Sequence, residues 1–431
     1  MSETAAAAPT AMATPTAPTA PAAAGTDAEV FDQLNREANV ILAELMPERI
    51  LDAPKSGKPF VLGTDDVLPE IVTAMDLYYN ILTVTGALAT ALPDAAKTID
   101  SAIEMGVESR LCTAVRCAMY YLYSPLMPRP DAIVTTNSPC DAVDTLGIMM
   151  DNHKPWASVP KFRLDAPHGR EEEDFVYFGK QMKEMVLFLE RTTGRTLDLD
   201  RFRALCEESN KQGRLLAEFQ ELKRAIPCPV DPDWARRGFR LSRWIPPGRP
   251  EVTVLLERLV AATEKRVKAK QGTDGVNEKI RFLWWDVSPT WAGKLFPRLA
   301  KELGAVCLMD YYSYAAPWTV IDTTSEESAL RTFGKRYLVD TPMTRQAMHG
   351  ADFWVDDILR IVKDFSIHAV VMPCHIGHKD LNAIPKIARD ACRDAGIPFL
   401  FLGCDVWDER YMPPDRVFDT MKTFFENVGL A

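Results

Sequence analysis

"AVVMPCHIGHKDLNAIPKIARDAC", Ala369–Cys392, opens with an apolar run too short for a buried helix. It continues through a polar loop holding a cysteine and two histidines, and ends in a helical pattern. A looser copy stands earlier, "AIVTTNSPCDAVDTLG", Ala132–Gly147, again ordered strand, cysteine-bearing loop, helix. Apolar strands followed by helices predict parallel sheets covered on both faces. In such sheets ligands bind beyond the carboxyl ends of the strands, where both cysteine loops fall.

Working outward, "KIRFLWWD" (279–286), "AVCLMDYYS" (305–313) and "IPFLFLGCD" (397–405) read as further strands around the second unit, and "KPFVLG" (58–63) as one before the first. The stretch "LPEIVTAMDLYYNIL" (68–82) and the segments 110–124, 291–304 and 352–365 read as helices. Val30, Phe31, Leu34, Ala38, Ile41, Leu42 and Leu45 fall near one helical face behind an acidic start at Asp27. Residues 170–225 are charged and helix-forming, between Pro-rich breaks. The expected fold class is α/β: two parallel-sheet domains of flavodoxin/Rossmann-like type joined by a helical segment. The expected divisions are 1–26 (a disordered Ala/Pro/Thr tail), 27–165, 166–274 and 275–431.

Composition narrows the function. A net charge of −10 argues against a nucleic-acid binder. No apolar run reaches the ~18 residues of a membrane span. The first 26 residues contain no Lys or Arg, unlike a secretory or transit leader, so a cytoplasmic location is expected, and with it nine cysteines serving as thiols or metal ligands rather than disulfides. P-loop, G-x-G-x-x-G, G-x-S-x-G and H-E-x-x-H signatures are absent from the sequence.

Three cysteines, Cys112, Cys140 and Cys374, stand at or beside loop–helix junctions. Buried packing is the ordinary fate of a free thiol, and it is the reading for Cys117, Cys206, Cys307 and Cys392. Cys228 lies in a Pro-rich loop, and Cys404 ends the last strand. Asp141 could cap its helix, Arg116 could bind an anion or form an ion pair, and Trp284–Trp285–Asp286 could wall a pocket or form core. For His375 and His378 a helix cap or core hydrogen bond competes with a role in chemistry.

"SRLCTAVR" (109–116), "NSPCDAVD" (137–144) and "HAVVMPCHIGHKD" with "GIPFLFLGCDVWDERYMPPDRVFDTMKTFFE" together resemble the 2-hydroxyacyl-CoA dehydratase/benzoyl-CoA reductase family, over about residues 30–431. The resemblance implies a 4Fe–4S cluster held by Cys112, Cys140 and Cys374, with His375 and His378 as proton donors or neighbours of the cluster. Some relatives place the third cysteine in His-x-Gly-Cys-Lys. Here the string is "HIGHK", which makes His378 the rival to Cys374. Also implied are an acyl-CoA substrate, a homologous second subunit and a separate ATP-hydrolysing iron–sulfur activator as electron donor. The chemistry would be low-potential one-electron transfer to the thioester. "HIGHKD" leans the reading to benzoyl-CoA-type ring reduction, with (R)-2-hydroxyacyl-CoA dehydration as the alternative and a double-cubane electron-transfer protein as a second.

Overall fold

A computed structural model describes residues 27–431 except 66–68, 126, 246, 316–317 and 379–380. The expected disordered tail, 1–26, lies outside the described residues. Two four-stranded, all-parallel sheets form the frame. The first contains β1 (Phe60–Gly63), β2 (Tyr78–Ile81), β3 (Ala132–Thr136) and β4 (Lys161–Leu164) in the order β2-β1-β3-β4. The second contains β5 (Ile280–Trp284), β6 (Ala305–Met309), β7 (Ala369–His375) and β8 (Phe399–Cys404) in the order β6-β5-β7-β8. Both sheets therefore share one topology, and the cysteine-bearing units of the sequence are the third strand of each.

Burial follows the topology. β1, β3, β5 and β7 are buried along their whole length, as central strands covered on both faces must be. Of the edge strands, β2, β4 and β8 are only partly buried, whereas β6 is buried along its whole length. A charge interrupts β5 at Arg281, 1% exposed. Its guanidinium donates to Glu278 (2.8 Å) and to the carbonyls of Phe365 (2.9 Å), Ala225 (3.0 Å) and Lys223 (2.8 Å), tying the end of the helical segment to the second sheet. Buried charge is tolerated only when satisfied in this way.

Long helices Glu172–Thr193 and Leu199–Leu222 occupy the segment read as helical. Helix Glu326–Val339, from the crossover between β6 and β7, packs with Glu172–Thr193 over the first sheet, where Phe178 stacks on Tyr337 at 5.8 Å. The N-terminal helix Asp27–Leu42 buries Phe31, Leu34 and Ala38 against helices Asp233–Arg243 and Pro250–Lys268.

Two readings change. Residues 68–82 do not form one helix: a short helix Pro69–Ala74 stops before Asp76, whose φ of 55° is left-handed, and Tyr78–Ile81 becomes edge strand β2. Aromatic residues favour a pleated, half-buried surface, and pairing with β1 decides the matter. β4, a four-residue edge strand, was too short and too charged for periodicity to show.

Candidate functional site

Each sheet has its switch point between its two central strands, β1/β3 and β5/β7, where strand order reverses. Register makes the two points equivalent: Val61 pairs with Ala132, and Phe282 with Ala369. Four residues beyond those positions stand Asp65 and Asp286, so each switch point carries an aspartate.

Between them lies a cleft lined by loops and helices that follow the strands of both sheets and by helix Asp233–Arg243 with the residue after it. Its polar chemistry comes from Asp65, Cys112, Cys140 and His378. Phe239, Trp244, Tyr312 and Trp407 give it aromatic walls. Asp65 is the one carboxylate on the wall among the described residues.

Cys112 is the N-cap residue of helix Thr113–Tyr123, and Cys140 that of Asp141–Asn152. Asp141 is therefore the first helical residue rather than the cap. The loop after β7 is pressed onto Cys112. A Cβ on Gly377 would lie 2.2 Å from the Cys112 Cα, so only glycine permits this approach. It brings Cys112, His375 and His378 together, with one ligand atom from each within 4.8 Å of the others. His375 Nε2 is 3.3 Å from the Cys112 Sγ, and the two imidazoles meet edge to face at 4.6 Å.

A carboxylate lies behind each imidazole at ion-pair distance from its Nδ1, and the Val406 backbone N–H donates to the His375 Nδ1 at 3.4 Å. His375 Nδ1 lies 3.3 Å from Asp405 Oδ1, and His378 Nδ1 3.4 Å from Asp286 Oδ1. Asp405 is itself fixed by the Thr113 hydroxyl (2.5 Å) and the backbone N–H of Trp407 (2.8 Å), with Arg116 Nη2 at 3.8 Å. Arg116 is thus an ion-pair partner, and Thr113–Asp405 ties helix Thr113–Tyr123 to the end of β8. Burial pushes the Cys112 thiol up, but the charge and hydrogen bonds of His375 and His378 outweigh it and bring the thiol down to about 6. Burial pulls His375 down, and the Cys112 thiolate and Asp405 together lift it to about 8. Thiolate and imidazolium stabilise each other here. By contrast, burial alone pushes Cys392 up to about 12, and burial dominates at Cys117 as well.

Burial raises Asp405, but His375 and Thr113 hold it at about 2 against an ordinary 3.8. Its folded value lies below its unfolded one, so its stabilisation is complete above pH 3.8 and is lost as pH falls through about 2. The displacement corresponds to about 2 kcal/mol. Asp405→Asn is expected to lower the neutral-pH Tm and to flatten the stability loss between those two pH values, as read by thermal melts across pH.

Cys374 stands apart. Adjacent strand residues project from opposite faces, so Cys374 and His375 leave β7 in different directions. Its Sγ lies 3.9 Å from the Met372 carbonyl of its own strand, and it does not line the cleft. Burial, then Asp286, pushes its thiol up to about 12. The structure brings Cys112, Cys140 and His378 to one cleft and Cys374 to none of them. Trp284 and Trp285 are core, both fully buried, whereas the Asp286 that follows belongs to the site. All nine cysteines are buried.

The sequence reading passes over Asp65 and Asp405 and takes Asp286 only together with Trp284–Trp285, as a possible pocket wall. The available signal was an acid just past the end of a central strand. Asp65 ends a directed hydroxyl chain: Thr136 and Ser138 are 3.0 Å apart, Ser138 and Tyr337 2.5 Å, and the Tyr337 hydroxyl donates to Asp65 Oδ2 at 2.6 Å. Only the Asp65 carboxylate lacks a proton to give, so the chain runs toward it.

Soft nitrogen and sulfur donors suit iron or zinc, and an imidazole held by a carboxylate on one nitrogen is oriented to ligate through the other. The close donor set of Cys112, His375 and His378, one thiol and two imidazoles, is of a kind that iron or zinc accepts, and Cys140 lines the same cleft. The fold and site define an α/β protein of two like sheets with a thiol–imidazole cleft between them. Residues 66–428 match the family described as "2-hydroxyglutaryl-CoA dehydratase, D-component", and the chain belongs to that family. It is also similar to "(R)-2-hydroxyglutaryl-CoA dehydratase, subunit alpha" of Acidaminococcus fermentans, at 24% identity over 188 residues, 42% of this chain and 37% of that subunit's length. No helix among the described residues is long and apolar enough to cross a membrane.

Proposed function

We propose that the chain is the catalytic subunit of a 2-hydroxyacyl-CoA dehydratase, with an iron–sulfur centre held at the inter-sheet cleft by Cys112, Cys140 and His378. The observation that carries this reading is that these three side chains, from two domains, line one cleft at the facing switch points. A 4Fe–4S cluster held there would supply one-electron chemistry toward the thioester. Both comparisons name a dehydratase, which supports dehydration over the ring reduction toward which the sequence leaned.

The protein's own residues then have definable tasks. Elimination of water from a 2-hydroxyacyl-CoA breaks the C2–O bond and removes a proton from C3. Asp65 accepts that proton, and the Tyr337 hydroxyl holds its carboxylate toward the cleft. Phe239, Trp244, Tyr312 and Trp407 surround the acyl group with apolar surface. His375, held by Asp405, fixes the Cys112 thiolate. Dehydration is redox-neutral overall, so no net reductant is consumed. A homologous second subunit and an ATP-hydrolysing iron–sulfur activator complete the system.

The test is anaerobic assay of the chain with its partner and activator, offering 2-hydroxyglutaryl-CoA, other 2-hydroxyacyl-CoA thioesters and benzoyl-CoA. Iron with acid-labile sulfide and an enoyl-CoA product is the expected result. A dienoyl-CoA from benzoyl-CoA, without dehydration, would overturn dehydration in favour of ring reduction. Absence of iron would overturn the radical reading altogether.

A further inference from the structure

The cleft holds a tighter grouping than the ligand set proposed for the cluster. Cys112, His375 and His378 each bring one ligand atom within 4.8 Å of the other two, and His375 Nε2 stands 3.3 Å from the Cys112 Sγ. Cys140 is not one of the three. A zinc ion bonded tetrahedrally at ~2.3 Å to sulfur and ~2.0 Å to nitrogen sets two such donors about 3.5 Å apart. The separation already present is that of two ligands of one ion. A cluster gives each protein ligand its own iron, and so calls on donors beyond this group, such as Cys140 on the same cleft.

The surroundings suit a single ion as well. Asp405 lies 3.3 Å from His375 Nδ1 and Asp286 3.4 Å from His378 Nδ1, and a carboxylate behind one ring nitrogen turns the other toward a metal. Charge also balances. The two carboxylates and a metal-bound Cys112 thiolate carry three negative charges, and Arg116, 3.8 Å from Asp405, carries one positive charge. A divalent ion therefore leaves this buried group neutral, as a dry interior requires. Cys112 and His378 line the cleft, so the fourth position of a tetrahedral ion opens onto it.

We propose that the chain, when it carries no cluster, binds one zinc ion through Cys112, His375 and His378, and that this ion and the cluster exclude one another because both claim Cys112 and His378. The exclusion rests on the cluster reading above, whereas the zinc site does not. Such donors hold zinc more tightly than ferrous iron. His375, a supporting residue toward the cluster, is a ligand of the single ion, and so it tells the two states apart.

The experiment is titration of the cluster-free full chain with Zn²⁺ against a chromophoric chelator, followed by anaerobic reconstitution with iron and sulfide. Wild type is expected to bind one zinc per chain. Loss of an orienting carboxylate costs about 10–100-fold in metal affinity, and His375→Ala, which removes a ligand outright, is expected to lose more than ~100-fold while keeping most of its cluster iron. Cys140→Ala is expected to do the reverse, keeping zinc and losing the cluster. Zinc-loaded wild type is expected to take up no iron until a chelator removes the zinc. Melting curves check each fold, and His375→Gln, which keeps the bulk, is measured beside the alanine variant. No zinc on wild type, or unchanged zinc affinity in both His375 variants, would overturn the site. Zinc lost in Cys140→Ala would overturn it too, by moving the ion onto the ligands of the cluster. Full cluster uptake by the zinc-loaded chain would overturn the exclusion. Zinc bound as expected, with iron never taken up, would support this site and overturn the cluster.

Discussion

Cys112→Ala, Cys140→Ala and His378→Ala are each expected to strip the anaerobically purified chain of most of its iron, and Cys374→Ala to leave iron and acid-labile sulfide at the wild-type level. The expectation follows from position. Cys112 and Cys140 begin helices that point their N-termini into the cleft, where partial positive charge favours thiolate. His378 reaches the same cleft, and Gly377 is what lets its loop lie on Cys112. Cys374 is fixed in β7 with its thiol pushed up to about 12, far from the thiolate that a metal requires. His378→Cys restores a donor and is expected to recover iron. Asp286→Asn keeps the ligand but releases it from its orienting carboxylate, and such losses cost about 10–100-fold in metal affinity. Melting curves for every variant separate lost iron from lost fold. Iron lost in Cys374→Ala and kept in His378→Ala would reverse the assignment.

The contest between Cys374 and His378 shows where sequence reasoning reaches its limit. Spacing places both residues in one loop, five residues into a strand or just past its end, and thiolate is the commoner donor. What decides is the direction in which each leaves the chain. Strand alternation and the contact between Gly377 and Cys112, residues more than 260 apart in the chain, are properties of the assembled fold. The central strands were legible because burial on both faces leaves continuous apolar runs such as Ile280–Trp284 and Ala369–His375. Edge strands β2 and β4 were not, because half-buried Tyr78–Ile81 and Lys161–Leu164 carry mixed side chains and gain their conformation by pairing. The echo between Ala132–Gly147 and Ala369–Pro385 proved to be one topology used twice. Its equivalent acids, Asp65 and Asp286, become visible only when the strands are aligned by register.

Those two acids have separate work, and the expected effect of removing Asp65 is the larger test of the proposed chemistry. Asp286 faces an imidazole at 3.4 Å and acts through it. Asp65 stands on the cleft wall itself, the terminus of the Thr136–Ser138–Tyr337 hydroxyl chain. Thr136, Ser138 and Tyr337 are each at most 1% exposed, so that chain is fixed in direction and keeps Asp65 supplied with a donor in its charged form. A carboxylate so placed can take a carbon-bound proton from a thioester held in the cleft. Asp65→Asn keeps shape and removes the base, and turnover is expected to fall by about 10²–10⁴-fold with iron content unchanged. Asp65→Glu retains a base and is expected to recover part of the rate. Tyr337→Phe leaves the base but deletes its 2.6 Å donor, and turnover is expected to fall by less than in Asp65→Asn. Asp65→Asn turning over within a few-fold of wild type would remove Asp65 from the mechanism, whatever the iron content showed.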